Sequence, residues 1–247
     1  FAFLTIFPMP RVEWTKSRLR YFPVVLPLVG IVVGLMGMGF FASLLCWKVS
    51  PVLRGVLMAL FYLCLTGGLH MDGFMDTCDA VFSRQDRENR LRILSDAHSG
   101  AFAVMGCVVV SLLKAGIFSE LFETYFPYPE MSVLVVLTMI PVYSRIGLGM
   151  LFYLPFARED GLARTLGGAR VSRDRLVLAF VYVFLSVCAV FSLGLKWAVI
   201  PLVSGVFFWR YAFYCVKIFG GTTGDLMGAF VEISETSMLL ALAVMKR

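Results

Sequence analysis

Charge is scarce in this 247-residue chain and histidine scarcer still: 15% of residues are charged and two are histidine. A soluble domain carries about 25% charged and about 45–50% apolar residues. Here the apolar share is 60% and the mean hydropathy +0.86, so the excess is expected to face lipid. Metal-binding cysteine patterns are missing too. The six cysteines, at 46, 64, 78, 107, 188 and 215, have no CxxC or Cys/His ligand spacing and read as small apolar fillers. The first residues show no signal-peptide n-region and cleavage site. No internal repeat or low-complexity linker is evident, so 1–247 reads as a single membrane-embedded domain.

What is abundant is apolar stretches near or above the ~20 residues that cross a bilayer. They fall at 24–47, 51–66, 100–119, 131–155, 176–194, 197–216 and 226–245, predicting an all-α polytopic membrane protein of about seven transmembrane helices. Basic residues set the orientation. Arg11, Lys16, Arg18 and Arg20 precede the first span, Arg84, Arg87, Arg90 and Arg92 lie in the 67–99 connection, and Arg158, Arg164, Arg170, Arg173 and Arg175 lie in the 156–175 connection. The opposite side holds Lys48, Arg54, Lys196, Lys246 and Arg247, and its 120–130 loop carries three glutamates and no base. The first side is therefore expected to be cytoplasmic. Residues 1–23, with Trp14, Tyr21 and Phe22 among bases, suit an interfacial segment. The net charge of +6 is accounted for by this topology and calls for no nucleic-acid partner. Gly30, Gly34, Gly37 and Gly39 give the first span a small-residue ridge for helix packing.

Against this background three carboxylates stand close together in Gly67-Gly-Leu-His-Met-Asp-Gly-Phe-Met-Asp-Thr-Cys-Asp79. If 71–80 is helical, Asp72, Asp76 and Asp79 fall within roughly 60° of one another. Such a face is expected to hold a hard cation, normally magnesium. His70 sits two residues before the first acid, and the 67–99 segment reads as the main cytoplasmic catalytic loop.

Further acids lie in the last helix, where Asp225 and Glu232, seven apart, share a face, with Glu235 beyond. Acids at membrane depth are either functional or paired, and Lys114, Arg145 and Arg210 are the bases available inside spans. Before that helix, Gly220-Gly-Thr-Thr-Gly places Thr222 or Thr223 at an N-cap, where free N–H groups favour phosphate. Arg158 and Arg164 flank Gly161, and Arg92, Asp96 and His98 lie ahead of the third span. Acids, arginines and glycine turns converging on one leaflet suit magnesium-dependent transfer at a phosphate or pyrophosphate. A transporter using the membrane acids and Arg145 as an ion path is the non-enzymatic rival.

The same stretches resemble the cobalamin synthase family, the adenosylcobinamide-GDP ribazoletransferases. The resemblance rests on Thr66–Asp79, Arg90-Leu-Arg-Ile-Leu-Ser-Asp-Ala-His-Ser-Gly100, Ala157-Arg-Glu-Asp-Gly-Leu162 and Gly220–Ala229 with Glu232 and Glu235, and it runs nearly end to end. It implies a magnesium-requiring enzyme of the bacterial inner membrane that joins adenosylcobinamide-GDP to α-ribazole, or its 5′-phosphate, with release of GMP. Carried over, it makes Asp72, Asp76 and Asp79 the metal-binding acids, with Asp225 and Glu232 as a second group; those three aspartates and His70, from its place beside the motif, are the candidate catalytic residues. Read from their positions in this chain, Arg92, Asp96, His98, Arg145, Arg158, Arg164, Thr222 and Thr223 are the candidate substrate contacts, and a homo-oligomer is compatible with all of this. Ala80, Ile6 and His98 depart from the family's usual Gly, Arg and basic residue. The spaced aspartates are also similar to those of CDP-alcohol phosphotransferases, whose Ala-Arg element after the Asp-Gly is absent here.

Overall fold

The computed structural model describes residues 4–8, 15 and 19–245. Arg11, Trp14, Lys16, Arg18, Lys246 and Arg247 lie outside the described residues, and with them most of the interfacial segment. Among the described residues there is no β-strand, only an isolated parallel bridge between Phe156 and Thr222.

Six helical stretches are long and apolar enough to cross a membrane: α1 (Phe22–Leu45), α5 (Ala101–Tyr125), α6 (Met131–Leu151), α8 (Asp174–Leu193), the stretch Leu195–Phe219 containing α9 (Val199–Tyr214), and α10 (Gly224–Val244). A seventh forms only if α2 (Pro51–Leu65) and α3 (Leu69–Phe82) count together, since they meet at 94°. Six of the expected spans are thus present with shifted ends, while 51–66 is found only as part of the bent pair. α5 runs past 119 because Leu121, Phe122 and Tyr125 are still buried on its inner face. α6 stops before 155, ahead of Pro155, which disfavours helical backbone at the residue before it.

α6 and α10 form the centre, with 78% and 67% of their most apolar windows buried, whereas α8 is a peripheral helix at 6%. The largest helix pairing, α1 on α6, rests on Gly30 and Gly34. A Cβ at Gly30 would lie 2.7 Å from the Pro141 carbonyl oxygen, so the backbones touch. Gly39, expected on the same ridge, faces open space. The outer helices present Leu112, Phe180, Phe191 and Trp209 outward, as a lipid-facing surface requires. All six cysteines are free.

The bend between α2 and α3 has a local cause. Gly67 and Gly68 take φ of +61° and +74°, a left-handed pair costly for any residue with a Cβ. The chain turns through 94° there, and α3, which carries the Asp72–Asp79 motif, packs against α10 and α5. A Cβ on Gly73 would meet the Asp225 carbonyl at 2.7 Å, and one on Gly228 the His70 carbonyl at 3.1 Å. This crossing places the motif beside the start of the last helix. Two short helices, α4 (Arg87–Ile93) and α7 (Leu162–Gly167), lie in the connections at the same end of the bundle.

Candidate active site

α3 is helical over the span the spacing implied, so Asp72 and Asp76 lie one turn apart on one face. Across the Gly73 contact, Asp225 occupies the first turn of α10. Asp76 lies in the combined fields of Asp72, Asp225 and Asp79, with Arg158 opposing them. Acids from two distant parts of the chain therefore share one electrostatic centre. Among the described residues, no three His, Cys, Asp or Glu side chains stand close enough to hold a metal ion by themselves.

A cavity of about 200 Å³ opens at this point. One wall, from α3 and α10, includes His70, Asp72 and Asp225, and the other, from the connection after α6, includes Arg158, Asp160 and Arg164. Thr222 and Thr223 also line it. The second wall is pinned to the first: Ala157 donates its N–H to the Thr222 carbonyl at 2.9 Å, and Thr222 donates to Pro155 at 2.8 Å. Gly220 and Gly221, at φ of +76° and +156°, permit that approach.

Arg158 is fixed by this bridge. Its Nη2 donates to the Leu91 carbonyl at 2.7 Å and lies 3.9 Å from Asp225 Oδ2, joining α4 to α10. Arg164 stacks 5.4 Å from the Phe156 ring centroid and pairs with Glu159 at 3.4 Å. Thr223 is the N-cap of α10, accepting from the Leu226 N–H at 3.2 Å while its hydroxyl donates to Asp225 at 3.3 Å. The expected phosphate-binding turn thus opens on the acids, and Thr222, Thr223, Gly224 and Asp225 bring the N-terminus of α10 to the same cavity.

Other expected site residues stand elsewhere. Asp79 lies on the motif helix, but both its oxygens cap α5, accepting from Gly100 N–H at 2.6 Å and Ala103 N–H at 2.9 Å. Arg92 and Asp96 lie outside the cavity, Arg92 donating to Asn89 at 2.8 Å. Asp96 takes the exposed His98 ring at 2.7 Å, and that bond holds its carboxyl below the usual carboxylate range. Glu232 was expected to group with Asp225. Seven residues on one face are also about 10 Å along the axis, and at that depth Glu232 is closed by an ion pair with Lys114. Arg145, 1% exposed, pairs with Glu235. Arg210 is exposed and takes neither acid.

His70, 3% exposed, borders both the main cavity and a second one of about 170 Å³ that reaches Lys114, Glu232 and Glu235. Its Nε2 has no hydrogen-bond partner. Asp160 is the cavity residue that reading by spacing passed over. It lies in the Ala157-Arg-Glu-Asp-Gly-Leu162 stretch, next to Gly161 and between Arg158 and Arg164.

The fold and the cavity define a multi-pass helical membrane protein with a mixed acid, arginine and helix-N-terminus site at one end of its bundle. The chain belongs to the cobalamin-5-phosphate synthase family, whose model matches residues 1–243. Curated relatives called adenosylcobinamide-GDP ribazoletransferase include one from Clostridium perfringens (strain SM101 / Type A), 29% identical over 98% of this chain and 95% of its own length. Another, from Lachnoclostridium phytofermentans, is 31% identical over 96% and 88%. A third, from Acinetobacter baumannii, is 30% identical over 98% and 94%. No solved structure matches the chain.

Proposed function

We propose that this protein transfers α-ribazole, or its 5′-phosphate, onto adenosylcobinamide-GDP with release of GMP, as a magnesium-dependent enzyme. One observation carries the reading: Asp72, Asp225, Arg158 and the N-terminus of α10 meet in a single cavity of a chain of this family. The name borne by the relatives supports the choice of substrates.

The residues fit a magnesium ion. Magnesium is usually bound through one or two carboxylates plus substrate phosphates and keeps several waters, so no all-protein cage is required. Asp72, Asp76 and Asp225 supply carboxylates from two helices locked together at Gly73. When bound, the metal supplies charge neutralisation at the pyrophosphate. The chain's own groups do the positioning. Arg158, held by the Leu91 carbonyl, faces the phosphates, and the first N–H groups of α10 bind their oxygens. Asp79 fixes the start of α5 against the motif helix and acts through that packing. The cavity walls thereby hold the reacting phosphate and hydroxyl in line, where orientation supplies much of the rate.

The protein is placed in the bacterial inner membrane with this end of the bundle cytoplasmic. That orientation is supported by the gathering of Arg84, Arg87, Arg90, Arg158, Arg164 and Arg170 there. The assay is magnesium-dependent GMP release from adenosylcobinamide-GDP by purified protein, with and without α-ribazole. GMP release needing both magnesium and α-ribazole is the expected result. CMP release from a CDP-alcohol substrate, or ion flux in proteoliposomes without nucleotide, would replace the reading.

A further inference from the structure

We propose that Asp160 is the general base that accepts the proton of the attacking hydroxyl, an assignment that rests on the transfer reaction above. Among the described residues, three carboxylates line the acid-lined cavity of about 200 Å³: Asp72, Asp225 and Asp160. The first two belong to the acid group around Asp76 on α3 and α10, and Asp225 also faces Arg158. Asp160 stands apart, on the wall contributed by the connection after α6. Among the described residues it has no ion pair and no side-chain hydrogen bond, whereas its neighbour Glu159 is turned toward Arg164.

Its placement is built. On one side the backbone is tied by the Ala157–Thr222 bond and by Arg158 on Leu91. On the other, Gly161 takes φ of +97° and leads into α7, whose Ala163 and Leu166 are buried. Asp160 is thus the apex of a short turn anchored at both ends.

The chemistry asks for a base on that wall. In-line displacement puts the entering and leaving oxygens on opposite faces of the phosphorus. The acids of α3 and α10, with the α10 N-terminus, gather the pyrophosphate charge on their wall, with Arg158 reaching toward Asp225 from the other, so the hydroxyl enters beside Asp160. The hydroxyl oxygen bonds to the cobinamide-side phosphorus as the bond from that phosphorus to the bridging oxygen breaks. GMP leaves with the bridging oxygen and its electron pair. The proton passes to an Asp160 carboxylate oxygen, and because Asp160 is exposed it is then released to water. His70, a further proton acceptor at the cavity, is buried and lies on the opposing wall with Asp72 and Asp225.

The test is steady-state GMP release by Asp160→Ala and Asp160→Asn in the full-length, detergent-solubilised protein, with thermal melting as a check on folding. Expected is a fall in kcat of about 10²- to 10⁴-fold with KM for adenosylcobinamide-GDP within about threefold of wild type. Added formate should restore part of the Asp160→Ala rate. A kcat within about threefold of wild type overturns the assignment, and so does a loss that formate leaves unchanged. A rise in KM that accounts for the whole loss makes Asp160 a binding group and also overturns it. Wild-type protein that releases no GMP removes the transfer reading itself, a result distinct from wild-type turnover with an undiminished variant.

Discussion

At the scale of single residues, the site depends on side chains whose backbones are fixed by something else. Asp72 and Asp76 are set by one helical turn, and Asp225 by the first turn of α10. Asp72→Asn and Asp76→Asn should each lower GMP release by at least about 10²-fold while the protein stays folded, since a lost charge-stabilising group commonly costs that much. Near-normal turnover in both variants would remove them from the metal-binding role. Thr223→Ala removes the cap of α10 and one contact to Asp225, and it should destabilise the protein by about 1 kcal/mol as read by thermal melting. Arg158→Lys keeps the charge but loses the planar guanidinium whose Nη2 lies between the Leu91 carbonyl and Asp225, so KM should rise with the fold unchanged. Periodicity could nominate Asp72, Asp76 and Asp225. It could not show that Asp79 spends both oxygens on α5, because the partners lie 21 and 24 residues away.

At the scale of elements, the decisive contact is α3 against α10. Gly73→Val would place a branched side chain where the Asp225 carbonyl lies, so the helices must part. The expected outcome is loss of magnesium-dependent turnover in a protein that still inserts, measured on the same membrane preparation. Deeper in the bundle, the Lys114–Glu232 and Arg145–Glu235 pairs fasten α10 to α5 and α6. Removing one partner strands a buried charge: Glu232→Gln should destabilise by about 3–5 kcal/mol, and adding Lys114→Met should recover much of it. If the single and double variants melt alike, the pair does not fasten these helices. The sequence had allowed both pairing and metal binding for Glu232. Only depth along α10 separates it from Asp225, and a helical-face argument carries no depth.

At the scale of the whole molecule, orientation makes a prediction of its own. Cys46 is exposed at the end of α1 opposite the site, and under the proposed orientation it should react with an impermeant thiol reagent added outside the cytoplasmic membrane. A cysteine introduced at Ser95, which is exposed at the site end, should react only after permeabilisation. The reverse pattern would invert the topology. The sequence by itself determined that this is a helical membrane protein, where most of its spans run and which motif carries its acids. Hydropathy and helical periodicity are properties of neighbouring residues, so they can be read locally. Only the tertiary structure decided which polar groups share a cavity. Glycine-sized gaps between α3 and α10, and the bridge from Phe156 to Thr222, bring together residues that are 66 or more positions apart. The same packing sends Glu232, Arg145 and Asp79 to other partners. Long-range contacts are settled by shape and by the cost of leaving a buried charge unpaired, and neither is written in a local pattern.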